Sequence, residues 1–454
     1  MNFLKKIFSP ISLVISTLLL IYTYYKSEIY WYGSNDDYLI YYIFSSSLII
    51  FSIITFFINQ KIKEYLIISF ISTMCVLYLF EGYLAFKGEF VKTEFKKKEN
   101  ILKKAKLYKK NTGKIYDTRA RLKIYEDLKK VNNKITLTVS PFNYLKDEYD
   151  FIPLSSASNS KTIYCNENGY YSIYQSDRYG FNNPDIEWNK NQTEYLLIGD
   201  SFAHGACVNK PNDIASILRN LSGKSVLNLG YSANGPLVQY ATLKEYLNPR
   251  VKKVLWFYYE ENDFKDLNNE LSNKVLKNYL NDSFFTQSLK IKQNKINDLV
   301  KNKIEKQIEI KNRELKKNTL KNNKIKYIKF IKISNIRSLI LPKLKTQKKL
   351  RPQAPPEFKK ILELTRDLLI KNNSKLYFIY LPEYNRYKTK YDNTNYLFVK
   401  KIVNELNIPL IDIHKEVFEK AENPLKLFPF QFYGHYNVDG YKKVSETIYD
   451  FTKN

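Results

Sequence analysis

The sequence predicts an α/β domain on a parallel sheet, tethered to a membrane by three helices, and three observations predict it. Apolar runs fill residues 7–25, 38–58 and 65–86, each roughly the 20 residues a helix needs to cross a bilayer. From residue 195 onward, short apolar runs alternate with helix-length stretches, as strands joined by helical crossovers do. The first of those runs, Tyr195-Leu196-Leu197-Ile198, ends in Gly199-Asp200-Ser201, a tight turn at the strand end where open α/β sheets bind ligands.

The three apolar runs are too long and too uniform for soluble core helices. Lys5 and Lys6 precede the first, as in a signal peptide, but no small-x-small cleavage site follows and two further spans do. Lys61 and Lys63 lie between the second and third spans, whereas the first connection carries Glu28, Asp36 and Asp37 against Lys26. The positive-inside bias therefore puts the amino terminus in the cytoplasm and everything after Phe86 outside; the lysine-rich stretch 87–110 pulls the other way. Tyr22, Tyr24, Tyr25, Tyr30, Trp31 and Tyr32 fit an interfacial aromatic belt. Glu81 belongs near the interface or between helices. Three spans without recurring charges make a poor transporter.

Residues 1–86 are thus a three-helix anchor and 87–149 a charged stalk or linker. Residues 150–454 form the α/β domain, interrupted by a Lys/Asn-rich helical insertion at 266–350. That insertion reads as a solvated excursion or partner-binding arm, with a lid over the crevice as the alternative. Strands are expected at 195–198, 225–229, 254–259, 376–381 and 409–413, with helices at 213–221, 236–246, 357–370 and 396–406. Five such strands suit a flavodoxin-like order with a crevice beside the first strand.

Composition adds exclusions. The formal net charge of +28 would ordinarily raise nucleic acid as a partner. Here the lysines run through nearly every polar stretch together with Asn, Ile and Tyr. No zinc-finger, RNA-recognition or helix-turn-helix pattern accompanies them, so no nucleic acid is expected. Of 3 cysteines, Cys75 sits in an apolar span. Cys165 and Cys207 flank the Ser201 strand; a disulfide between them is chemically allowed if this part of the chain is exported. No Cys or His spacing suggests zinc.

Four stretches at strand ends could carry chemistry. Asp200 and Ser201 could merely cap the next helix, or Ser201 could be a nucleophile. The small-residue loop 228–236 could aim backbone amides at a ligand or be an ordinary strand-to-helix turn. Asn262, after the third strand, could donate a side-chain hydrogen bond or simply cap. His435, one of 3 histidines, precedes the last helix; imidazole is the base a serine nucleophile needs.

Together these four resemble the SGNH hydrolases, the GDSL esterase and lipase family, in a membrane-anchored form. Gly199-Asp200-Ser201-Phe202 matches the first block, Asn262-Asp263 the third, and His435 with Asn437 and Gly440-Tyr441 the fifth, in the family's order. The likeness covers roughly 150 to the end apart from the insertion. It implies a three-layer α/β/α sandwich and a Ser201 nucleophile with His435 as base. It also implies an oxyanion hole from the amides of Ser201 and Ala233 and the Asn262 side chain, with no metal and no cofactor. The implied activity is cleavage or transfer of an acyl ester in the cell envelope, such as an O-acylated glycan or a lipid. Three departures accompany it. Phe432 stands where the family has an acid three residues before the histidine, leaving a backbone carbonyl, or an acid from elsewhere such as Asp412, to orient the ring. Ala233 replaces the second-block glycine, and Glu260 and Glu261 precede the Asn. The missing acid favours a second reading, a non-catalytic domain of the same fold that binds glycan or a protein partner.

Overall fold

The structure is a computed structural model and describes residues 2–30, 35–86, 92–145, 149–344 and 354–453. The chain divides into two compact units, Met1–Glu94 with Leu320–Gln347, and Phe95–Thr319 with Lys348–Asn454.

In the first unit, α1 (Asn2–Tyr24), α2 (Asn35–Phe57) and α3 (Gln60–Phe86) are long and apolar enough to cross a membrane. Their outer faces carry exposed Ile, Leu, Val and Phe side chains, as lipid-facing helices do. Between them hydroxyls meet. Ser9 Oγ donates to the Thr55 carbonyl at 3.1 Å, and Ser12 Oγ lies 2.7 Å from Ser52 Oγ. Small polar residues of this kind allow close approach and supply interhelical bonds where no hydrophobic effect operates. Trp31 and Tyr32 of the expected aromatic belt lie outside the described residues, as do 87–91 and 345–350.

The second unit begins within α4 (Lys92–Thr112), at Phe95, and continues with α5 (Arg121–Lys129), then β1 (Ile135–Leu137), β2 (Lys161–Ile163) and β3 (Ile173–Gln175) in a small sheet of order β1-β2-β3. The stalk expectation for 87–149 is corrected here. Ile124, Ile135, Leu137, Val139 and Tyr144 are buried in the same core as the main sheet, so much of that stretch is folded body. Most of its described lysines are exposed, and in the sequence they mask the apolar side.

The main sheet holds β4 (Thr193–Ile198), β5 (Val226–Asn228), β6 (Val251–Tyr259), β7 (Lys375–Leu381) and β8 (Leu410–Asp412), all parallel in the order β5-β4-β6-β7-β8. This is the flavodoxin-like α/β order expected. Successive strand residues point to opposite faces, and both faces are covered. Leu196, Ile198, Val254, Trp256 and Phe378 pack on one side with α8 (Pro236–Tyr246) and α13 (Glu357–Lys371). Tyr195, Leu197, Leu255, Phe257 and Ile379 pack on the other with α7 (Ile214–Ser222) and α15 (Val438–Thr452). The remaining helices are α6 (Ser201–His204), α9 (Asp263–Glu270), α10 (Lys274–Asn281), α11 (Gln293–Ile331), α12 (Ser334–Leu344) and α14 (Thr394–Glu405).

The insertion is no solvated excursion over its first half. Leu276, Tyr279, Leu289, Ile296, Val300 and Ile304 join the core, and Asn297 Nδ2 donates to Ser158 Oγ at 3.0 Å.

Candidate active site

Ser201 is delivered by β4. A Cβ on Gly199 would lie 2.8 Å from the Cβ atoms of Ala203 and Phe257, so the turn closes this tightly only with glycine there. Asp200 caps the following turn, accepting from the Phe202 amide at 2.9 Å and, with its other oxygen, lying 3.3 Å from Ser201 Oγ. The capping expectation holds for the aspartate, and Ser201 lines the cleft.

His435 arrives from the far end of the chain and is held from both sides. Asn437 caps α15, accepting from the Gly440 amide at 2.9 Å. Tyr436 is buried and donates its hydroxyl to the Pro382 carbonyl at 2.7 Å. The result puts His435 Nε2 2.9 Å from Ser201 Oγ.

The other ring nitrogen faces a group the sequence did not flag. Glu167 Oε1 is 3.1 Å from His435 Nδ1, and Glu167 Oε2 accepts the His435 backbone N–H at 2.6 Å. A carboxylate only accepts, so Nδ1 carries the ring proton and Nε2 is left to receive one. Gly434 makes the approach possible: a Cβ there would stand 2.5 Å from Glu167 Oε2. Burial works to lower the His435 pKa, but the charge and hydrogen bond of Glu167 outweigh it and hold it above the ordinary 6.5. For Glu167, burial works upward and His435 pulls the carboxyl below its usual range.

Asp412 is therefore not the group that orients the ring. It accepts from the Tyr396 hydroxyl at 2.6 Å and from Lys400 at 3.1 Å. It also sits three strands away from β4 in the sheet, roughly 14 Å at the usual spacing. A position at a strand end was its only credential.

The Glu167 loop is pinned where it is needed. Cys165 and Cys207 are joined in a disulfide. Asn168 Nδ2 donates to the Cys207 carbonyl at 3.0 Å, and Asn166 Nδ2 to the Asp117 carbonyl at 2.7 Å. Glu167, Cys207 and His435 cluster closely enough to suggest a metal site. With the Cys207 sulfur committed to the disulfide, only two of the three could bind an ion, too few for a tetrahedral structural site.

The cleft in front of Ser201 and His435 has a volume of about 740 Å³ and is lined also by Tyr259, Asn262, Asn385 and Tyr433. Asn262 Nδ2 donates one proton to Asp266 at 2.7 Å, and its second is uncommitted by that bond. Ala233 lies in the loop after β5, outside the cleft lining, with φ +56°. That is the left-handed backbone a glycine adopts freely, at the position where the sequence resemblance led to the expectation of a glycine. Behind the site lies a bed of buried acids. Burial pushes Asp200 up to about 6 and Asp266 to about 7. Glu270, taken up by burial to about 8, accepts the amides of Gly235, Leu237 and Val238.

The other two histidines are occupied elsewhere. His204 is fully buried among the rings of Tyr164, Tyr174 and Tyr231, and burial drives its pKa down to about 3. His414 bonds to the Tyr387 hydroxyl at 2.8 Å.

No family model matches the chain, and no curated protein matches it. Among solved structures, one described as a lipolytic protein of the G-D-S-L family from Desulfitobacterium hafniense DCB-2 is 15% identical with a TM-score of 0.31. The match covers 57% of this chain and 98% of that one. A likeness that distant leaves the geometry of the site as the ground for any statement of function.

Proposed function

We propose that the chain is a membrane-anchored serine esterase or O-acyltransferase that works through an acyl-enzyme, and the observation that carries this is the Ser201–His435–Glu167 relay. Ser201 Oγ attacks the ester carbonyl while His435 Nε2 takes its proton. The oxyanion is held by the Ser201 amide and by Asn262 Nδ2, both at the cleft and donors of a kind worth about 3 kcal/mol of barrier each; Ala233, outside the cleft lining, is not assigned that role. The imidazolium, steadied by Glu167, returns the proton to the departing alkoxide, leaving acyl-Ser201. Water, or a sugar hydroxyl, then gives its proton to His435 and attacks the acyl carbon, and the imidazolium passes that proton to Ser201 Oγ as its bond to the acyl carbon breaks.

The substrate class proposed is an ester of the cell envelope, an O-acylated glycan or a lipid. A cleft of this volume accommodates a ligand of ordinary size, and its tyrosines and carboxamides suit a hydroxylated one. The domain is proposed to lie on the extracytoplasmic side, supported by the charge of the first connection and by a disulfide, which persists in oxidising compartments. The non-catalytic reading drew its weight from the missing acid before His435, and Glu167 supplies an acid at that nitrogen.

The full-length protein with a small chromogenic ester tests this. Ser201→Ala is expected to lower kcat by about 10⁴-fold or more. Turnover equal to that of the native protein would refute the assignment.

A further inference from the structure

Glu81 is a carboxylate in an apolar helix, and its side chain has no exposed surface. Its hydrogen-bond partners lie on the insertion. Oε1 accepts the backbone N–H of Asn335 at 2.9 Å and Asn335 Nδ2 at 3.1 Å, and Oε2 accepts the N–H of Ile336 at 3.0 Å. These amides belong to the first turn of α12, where four N–H groups lack helical partners. Glu81 thus caps α12 from another helix, with the charge sign the helix dipole favours.

Neighbouring contacts repeat the attachment. Tyr78, one turn earlier on α3, donates to the Ile331 carbonyl at 2.9 Å and packs its ring on Phe330. Arg337 reaches the Tyr41 hydroxyl at 3.0 Å and lies over that ring. Tyr41 is near the start of α2, and Glu81 near the end of α3, so both mark the same end of the bundle. Along α3, Glu81 stands roughly 30 Å from Gln60 at 1.5 Å per residue, about one hydrocarbon thickness. The start of α12 therefore lies at one end of the apolar three-helix bundle, where a membrane boundary is expected.

The outward side of this segment matches that location. Tyr327, Ile328, Ile331 and Ile340 are exposed, and so are Lys329, Lys332 and Arg337. Between Glu314 and Glu357 the sequence has no acidic residue, while Lys and Arg recur throughout. Basic side chains beside exposed apolar ones are the pattern of helices that lie in the headgroup layer. Juxtamembrane basic clusters also gain about 1 kcal/mol per charge near an anionic surface.

We propose that residues 327–340 are an interfacial element of the anchor, docked by Glu81 and lying on an anionic phospholipid surface. The apolar side chains enter the acyl boundary and the basic ones meet lipid phosphates. The insertion is then a return to the membrane, and this holds whether or not Ser201 is catalytic.

The test uses the full chain in single-copy lipid nanodiscs, with Cys75→Ser removing the free thiol. A nitroxide is placed on Ile340→Cys and, for comparison, on the exposed Asn191→Cys. Collision with oxygen relative to a water-soluble nickel chelate is read by spin resonance. The ratio at 340 is expected to be several-fold above that at 191, higher in discs containing phosphatidylglycerol than in phosphatidylcholine alone, and reduced toward the value at 191 by Glu81→Leu. A ratio at 340 equal to that at 191 overturns the membrane contact. An unchanged ratio in Glu81→Leu overturns the docking by Glu81, and no lipid dependence overturns the anionic headgroup. Retained labelling of Ser201 by a fluorophosphonate, or an unchanged circular dichroism spectrum, shows that each variant is folded.

Discussion

Glu167→Gln is expected to lower kcat for an ester probe by about 10³- to 10⁴-fold, the scale seen when the acid of a Ser-His-Asp triad becomes an amide. The reason lies in the two bonds Glu167 makes with His435. Its Oε2 accepts the His435 backbone N–H, so a glutamine would keep its carbonyl oxygen there and turn its amino group toward Nδ1. An N–H facing Nδ1 makes that nitrogen an acceptor and moves the ring proton to Nε2, the atom that must receive the proton of Ser201. The pH profile separates this from simple misfolding. Turnover needs neutral imidazole and so rises as pH climbs through the His435 pKa, which Glu167 holds above the ordinary value. Removing the negative charge lowers that pKa, so the residual activity of Glu167→Gln should show its acidic limb at lower pH than the native protein. An acidic limb that does not move would mean Glu167 does not act on the imidazole.

The second large effect concerns stability. Glu260 follows β6, and its carboxylate is taken up inside the protein. Arg386 Nη2 donates to it at 2.6 Å and Arg386 Nε at 2.8 Å, with side-chain exposures of 4% and 1%. The Glu383 amide donates at 2.7 Å, and the Tyr380 hydroxyl also donates. Arg386→Leu leaves a buried carboxylate without its cation and is expected to destabilise the detergent-solubilised full chain by about 3–5 kcal/mol. The double variant with Glu260→Leu should recover part of that loss, because no charge is then stranded. Urea unfolding checks both; a cost under about 1 kcal/mol for the single variant would be that of a surface pair.

The sheet and two of the site's positions were legible because each has a local signature. Strands in a parallel sheet are apolar on both faces, so 195–198 and 376–381 stand out even in a lysine-rich chain. Ser201 and His435 each sit in a short block with its own turn chemistry. Glu167 has no such block. It precedes Ser201 in the chain and comes from the loop between β2 and β3, and it reaches His435 only because the fold brings residue 165 to residue 207. The allowed Cys165–Cys207 pairing was the one pointer, since a bridge there places residue 167 beside the 201–207 turn. In the insertion, Ile296, Val300 and Ile304 recur every fourth residue, a helix stripe diluted by the Asn and Lys around it. Nothing local in the sequence foretold that Glu81 would cap a helix more than two hundred residues downstream.

The central claim is that Ser201 is activated by His435, and the rate at which a fluorophosphonate labels Ser201 as a function of pH tests it most directly. The account predicts labelling of Ser201 that rises through a single ionisation above pH 6.5 and is lost in His435→Ala. Failure of Ser201 to label, or a rate in His435→Ala that matches the native protein, would contradict it.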